Sequence, residues 1–159
     1  MTSNFDNIPI ERAKPEHLAE ITAVDVAAYG PESASHWLEE GLSDPEGYYF
    51  AAFINDVIVG YCGMYRLTYK EPNYCKIATV AVLPDFQGKG IGRAMMHKIL
   101  DTARELGLDR TKLEVRTKNT AAVALYKSLR FVVEEHIEGY YTMDSSGDDG
   151  YIMWRYEQS

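Results

Sequence analysis

The chain has 159 residues, 46% of them hydrophobic, with 16 Lys and Arg against 24 Asp and Glu, for a net charge of −8. That length and apolar content suit one compact domain over residues 1–159 rather than two. The acidic balance argues against a nucleic-acid partner and mildly favours a cationic substrate or basic peptide. No window approaches the roughly 18 consecutive apolar residues of a membrane span, and the first residues, Met1 to Asp6, show no basic segment ahead of an apolar one. A cytoplasmic protein with no membrane partner is expected. Cys62 and Cys75 stand without CxxC or His-rich spacing, so they read as small core residues, with no disulfide framework and no metal site.

Taken in chain order, Ile8 and Ile10 alternate in a short first strand, and Pro15 sits where a helix can begin. That helix carries Leu18, Ile21, Val24 and Ala28 to a stop at Gly30-Pro31, and a shorter helix runs from Ser35 to Leu42. Tyr48–Ile54 and Val57–Leu67 are β-rich runs joined by Asn55-Asp56, a two-residue hairpin turn. Asn73–Leu83 makes a further strand between Glu71-Pro72 and Pro84. From about Gly90 to Leu106 a helix places Ile91, Met95, Ile99, Ala103 and Leu106 on one face and ends at Gly107. Leu113 and Val115 mark a short strand; Asn119 then caps a helix whose Ala122, Leu125, Tyr126 and Leu129 share a face. Phe131–Tyr140 and Tyr151–Tyr156 close the chain as two strands around a polar turn from Ser145 to Gly150. Asp148-Asp149 reads as part of that solvated turn.

The most informative stretch joins the sixth of these elements, the Asn73–Leu83 strand, to the seventh, the helix from Gly90. Val80-Ala81-Val82-Leu83-Pro84 leads into Asp85-Phe86-Gln87-Gly88-Lys89-Gly90-Ile91-Gly92-Arg93. Alternating glycines remove side chains that would hold a ligand off the backbone, so amides at the start of the following helix can point at an anion. Charge agrees, because Phe86 to Leu100 holds no Asp or Glu while Lys89, Arg93 and Lys98 are cationic. Cations in a first helical turn oppose the macrodipole unless an anion neutralises them. A nucleoside-triphosphate loop is excluded, since Gly88-Lys89 is followed by Gly90, and a dinucleotide fingerprint fails because its third glycine would fall at Arg93.

What remains, Gln87-x-x-Gly90-x-Gly92, resembles the pyrophosphate loop of the GNAT superfamily of N-acetyltransferases. The order β-α-α-β-β-β-α-β-α-β-β is the order that this resemblance implies. The second half is similar to the ribosomal-protein-alanine and N-terminal acetyltransferase branch in Leu113-Glu114-Val115-Arg116, Asn119-x-x-Ala122, Leu125-Tyr126 followed by Phe131, Tyr140-Tyr141 and Tyr151-x-Met153. The resemblance covers most of Val57 to Tyr156. It implies an α/β GNAT fold with a mixed, mostly antiparallel seven-stranded sheet, a central splay and four helices. It also implies acetyl-CoA as co-substrate, held by Val80, Ala81, Val82, Gln87, Gly88, Lys89, Gly90, Ile91, Gly92, Arg93, Asn119 and Tyr126. One departure stands out: Arg130 occupies the position of a family glycine after Leu129, where a left-handed residue would end the helix.

Moving an acetyl group from a thioester to an amine requires a neutral amine, a polarised carbonyl and a proton for the departing thiolate. Glu114, flanked by core-facing Leu113 and Val115, is the candidate base. Its alternative is a solvated glutamate paired with Arg116 or a lysine. Tyr126 is the candidate acid, with an unperturbed phenol pKa of about 10 against a thiol near 8.5; its alternative is a core tyrosine. Backbone N–H groups of Thr79–Val82 would polarise the carbonyl. Asn119 caps a helix with or without a ligand. In the family, Tyr29 and the Tyr140-Tyr141 pair match walls of the acceptor groove, though with 12 tyrosines many here are packing residues. The expected acceptor is a protein or peptide N-terminus, such as that of a ribosomal protein. The alternatives are a small amine (polyamine, amino acid or aminoglycoside) and a catalytically silent acyl-CoA-binding regulator. A monomer or homodimer is expected.

Overall fold

The computed structural model describes residues 7–31, 37–67, 73–142 and 146–157. Its strands are β1 (Ile10–Arg12), β2 (Gly47–Ile54), β3 (Val57–Leu67), β4 (Tyr74–Val82), β5 (Arg110–Arg116), β6 (Val132–Tyr141) and β7 (Asp148–Tyr156). Its helices are α1 (Leu18–Tyr29), α2 (Trp37–Ser43), α3 (Ile91–Glu105) and α4 (Thr120–Ser128), with 3-10 turns at Pro15–His17 and Pro84–Phe86. The seven strands form one mixed sheet in the order β1-β2-β3-β4-β5-β7-β6. The chain clusters into two compact units, one of residues 1–66 and 78–102 and one of residues 67–77 and 103–159, so β4 and α3 each contribute to both.

In the first unit, β1-β2-β3 is an antiparallel meander. Asn55 and Asp56 both take positive φ, 50° and 64°, as a two-residue hairpin turn of this hand requires. The core beneath it is built from Ile21 and Val24 of α1, Leu38 of α2, Tyr49 and Ala51 of β2, Ile58 and Tyr61 of β3 and Ala81 of β4. Burying side chains of this size contributes about 1.5–3 kcal/mol each. On α3 the expected face is the one buried: Ile91, Met95 and Ile99 are at most 1% exposed. Gly60 allows β3 to pass close to β4, since a Cβ there would lie 3.1 Å from the Ala81 carbonyl oxygen.

In the second unit β5 alternates strictly, with Thr111, Leu113 and Val115 buried and Arg110, Lys112, Glu114 and Arg116 half-buried on the opposite face. It pairs parallel with β4 at Cys75↔Thr111 and Lys76↔Lys112, and antiparallel with β7 from Arg110↔Tyr156 to Arg116↔Gly150. That register covers the first half of β4, whose second half, from Ala78, belongs to the first unit.

Several boundaries differ from the sequence expectation. Ile8 lies outside β1, and the residues after Pro15 form a 3-10 turn before α1 begins at Leu18. The final strand starts at Asp148 rather than Tyr151, because Asp148 pairs with Tyr141 and Gly150 with Arg116 and Ile137; ladder bonds outweigh the turn preference of Asp and Gly. The expected start of α2 at Ser35, the Glu71-Pro72 boundary and Ser145 lie outside the described residues. Arg130 takes the left-handed conformation itself, with φ 72°. Its N–H donates to the Lys127 carbonyl at 3.0 Å and that of Phe131 to the Tyr126 carbonyl at 3.0 Å. This is a Schellman ending to α4, completed by the Tyr126 and Phe131 rings at 6.0 Å.

Candidate active site

The glycine loop lies in the first unit. Gly88 and Gly90 adopt φ of 76° and 91°, a region that glycine enters without penalty. A Cβ at Gly88 would meet nothing within 4 Å, so glycine serves backbone conformation there rather than packing. Gly92 is already inside α3, behind Ile91, which is buried. Lys89 is half-buried and Arg93 exposed. The Gln87 side chain turns back to donate from Nε2 to the Val82 carbonyl at 3.0 Å, bracing the loop against the end of β4. A loop of this kind, with positive-φ glycines at 88 and 90, the cations Lys89 and Arg93, and no acid from Phe86 to Leu100, fits the diphosphate of a coenzyme.

Two ties from α1 hold β4 where Val80, Ala81 and Val82 present their backbone. The Tyr29 hydroxyl donates to the Val80 carbonyl. Tyr29 is 52% exposed overall, but its hydroxyl end is enclosed, and that burial, with the Asp25 charge behind it, pushes its pKa up to about 12. The second tie is buried: the Tyr61 hydroxyl donates to Asp25 Oδ1 at 2.5 Å, and Thr79 hydrogen bonds to Tyr61. Asp25 is 2% exposed; in a helix read for its apolar face, its polar network with β3 and β4 had no sequence signal beyond an acid at a core position.

Glu114 lies in the second unit, on the open face of β5, and receives a 2.8 Å ion pair from Lys76 of β4. Burial raises the Glu114 pKa, but Lys76, the Tyr140 hydroxyl and the more distant Lys112 outweigh it, so the carboxyl sits below its ordinary value. Tyr140 is correspondingly raised, by burial and then by the Glu114 charge. The alternative of pairing with a lysine is therefore what this carboxylate does, while Arg116 turns to Asp148 at 2.8 Å and lies 4.0 Å over the Tyr141 ring. Lys76 was legible only in part: alternation of Tyr74 and Lys76 against buried Cys75 and Ile77 sets its face, but its partner needs the β4–β5 register.

Tyr140 and Tyr141 meet edge to face at 5.2 Å, so Glu114, Tyr140, Tyr141 and Arg116 form one cluster. Asp148 and Asp149 belong beside it rather than to a solvated turn. Asp148 also binds Lys118 at 2.9 Å, and Asp149 accepts from the Gly139 N–H at 2.9 Å and contacts His136 at 3.1 Å. Tyr126, on α4, is 9% exposed and packs on Phe131. Asn119 accepts from the Ala122 N–H at 3.3 Å, an N-cap that accounts for it structurally.

Both cysteines are fully buried, and burial pushes the Cys75 thiol up to about 12 and Cys62 higher still, which makes both inert. Among the described residues no group of His, Cys, Asp and Glu is placed to hold a metal, and no helix is long and apolar enough to cross a membrane. One cavity, of about 710 Å³, is lined by Asn7, Pro9, Glu11, Phe53 and Asp56 among others. A second, of about 360 Å³, is lined in part by Arg93, His97 and Lys98. Neither includes Glu114, Tyr126 or Tyr140.

Residues 14–131, spanning parts of both units, match the family model described as Acetyltransferase (GNAT) family. The chain belongs to that family. It is an N-acetyltransferase with the GNAT fold. It is 35% identical over 158 residues to the N-alpha-acetyltransferase RimI of Mycobacterium tuberculosis, covering 98% of this chain and 96% of that one. It is 31% identical over 132 residues to the [ribosomal protein bS18]-alanine N-acetyltransferase of Escherichia coli K12, covering 80% and 87% of the two chains. In fold it is similar to yncA of Salmonella typhimurium, solved with its cofactor acetyl-CoA, with a TM-score of 0.81 at 21% identity and coverage of 96% and 95%.

Proposed function

We propose that this acetyltransferase uses acetyl-CoA to acetylate the N-terminal α-amine of a protein or peptide, a ribosomal protein N-terminus being the favoured case. The observation that carries this reading is an ionised, half-buried Glu114 beside the Tyr140-Tyr141 pair, a carboxylate with aromatic walls suited to a chain-terminal ammonium. The two relatives named for N-terminal acetylation support it. Acetyl-CoA, when bound, supplies the acetyl thioester.

The chain's own residues fill the remaining roles. Backbone amides of Gly88 to Gly92, with Lys89 and Arg93, hold the diphosphate. N–H groups of Val80 and Val82, which face away from β3, polarise the carbonyl on a strand fixed by Tyr29 and Tyr61, while Ala81 turns its backbone to β3. Glu114 attracts the ammonium and accepts its proton through water; its pKa below the ordinary carboxylate value makes it a weak base, and its charge favours the ammonium over the free amine, so its main part is to hold the acceptor in place while the neutral fraction reacts. Tyr140, donating to Glu114, shares that proton's path. Tyr126 holds a hydroxyl proton for the departing thiolate.

The reading is tested by incubating the protein with acetyl-CoA and a panel of N-terminal peptides, polyamines and aminoglycosides, followed by mass spectrometry. Acetylation at peptide α-amines is the expected result; acetylation of the small amines alone would overturn the choice of acceptor. On the accepted amine, Glu114→Gln should lower kcat/KM about 10²-fold, with partial recovery at high pH, and Tyr126→Phe should lower kcat while leaving coenzyme-induced stabilisation intact. Wild-type turnover in both variants would show the roles to be misassigned.

A further inference from the structure

The open face of the second unit continues past Glu114 into an array that the chemistry above does not use. Alternation along β5 puts Arg110, Lys112 and Glu114 on this face, and the register sets Trp154 opposite Lys112 and Tyr156 opposite Arg110. Tyr74 of β4 lies 5.3 Å from Trp154, which stacks on Tyr156 at 6.0 Å and 14°. The Lys112 ammonium sits 5.8 Å from the centre of the Trp154 ring, and the Arg110 guanidinium 6.0 Å from that of Tyr156.

Charge pairing along this face is uneven. Lys76 is neutralised by Glu114 and Arg116 by Asp148, each at 2.8 Å, and Arg110 contacts its neighbour Asp109 at 3.6 Å. Lys112 makes no ion pair among the described residues, and its ammonium lies over the face of the Trp154 indole. The ring anchors the ammonium without satisfying its three donors. Two residues along a strand advance about 7 Å, so Lys112 lies about as far from Glu114 as one or two residues of an extended peptide reach from its amine. Of Lys76, Arg110, Lys112 and Arg116, only Lys112 lacks a carboxylate partner among the described residues, while the Tyr156 hydroxyl donates to Glu134 of β6.

We propose that Lys112, held over Trp154, is a subsite for an acidic side chain in the first residues of the acceptor polypeptide, so that the enzyme selects Asp- or Glu-bearing N-termini. The proposal rests on the reading that Glu114 receives the acceptor amine. Lys112 contributes to binding through a half-exposed charge pair, so its effect belongs to KM rather than kcat and weakens with salt.

Three peptides with the same first residue test it, carrying Glu-Glu, Gln-Gln or Lys-Lys at the second and third positions. Wild type should acetylate them in that order of kcat/KM, with about a five- to tenfold spread between the acidic and basic peptides, mostly in KM, narrowing between about 0.01 M and about 1 M salt. Lys112→Met should erase the spread and Lys112→Glu reverse it, with melting temperatures used to confirm folding of both. If the Gln-Gln peptide is acetylated but Lys112→Glu leaves the spread unchanged, the subsite is refuted and the proposed function stands. An equal loss on all three peptides would place Lys112 in general support of Glu114 and also refute the subsite. If small amines are acetylated and no peptide is, the acceptor reading falls and the subsite with it.

Discussion

Replacing Arg130 with glycine should stabilise this protein, against the general rule that substitutions destabilise. Arg130 holds φ at 72° as the left-handed residue of the Schellman ending of α4. An L-residue pays about 1–2 kcal/mol in that conformation, where its Cβ crowds the backbone, and glycine pays almost nothing. Set against this is the extra freedom glycine gives the unfolded chain, about 0.4–1 kcal/mol. The side chain itself is exposed, and both capping bonds are made by backbone, so neither is lost. The net gain is about 0.5–1 kcal/mol, or a rise in melting temperature of about 1–4 °C for a chain of this size. Thermal and urea denaturation of Arg130→Gly beside Arg130→Ala measure it. Alanine keeps the Cβ and should match wild type, which separates backbone strain from any contact of the guanidinium. Because Tyr126 accepts the outer capping bond, relief of strain without movement should leave kcat unchanged. A glycine variant no more stable than the alanine variant would refute the assignment of strain to this residue.

The coenzyme loop and the carboxylates give further expectations. Acetyl-CoA at about one hundred times its dissociation constant should add about 2.7 kcal/mol, a melting-temperature rise of roughly 5–10 °C, and Gly90→Asp should abolish it by placing bulk and negative charge in the anion cradle; a persisting shift would remove the loop from coenzyme binding. Glu114, Asp148 and Asp149 all have folded pKa values below their ordinary ones: Lys76 outweighs burial at the first, Lys118 leads at the second, and the Gly139 N–H leads at the third. Groups so depressed give stability that is complete above their unfolded pKa, near 4, and is lost as pH falls through the folded values. Melting temperature should therefore drop as pH falls below about 4, and a flat profile there would contradict the ion pairs of the β5–β7 face.

How much was legible without a structure depends on how far apart the interacting residues lie in the chain. The buried face of α3, the Asn55-Asp56 turn, the glycines at 88 and 90 and the cap at Asn119 are set by neighbours within a turn or two, through 3.6-residue periodicity and backbone φ, and the sequence alone determined them. The need for a left-handed residue at Arg130 was also local, though only the fold decided that arginine adopts it. The strict alternation of β5 likewise placed Glu114 on the open face before its partner could be known. Tertiary structure decided the rest. Lys76 reaches Glu114 across 38 positions and Tyr61 reaches Asp25 across 36, and such pairs depend on sheet register and on which helix crosses which strand. Asp148 became a strand residue and an ion-pair acceptor because β5 and β6 supplied ladder partners that a six-residue window cannot contain. Net charge, a property of composition, pointed to a basic acceptor, but charges act over about a Debye length of 8–10 Å, and only folding decides which of them, Lys76 and Lys112 included, share that range with Glu114.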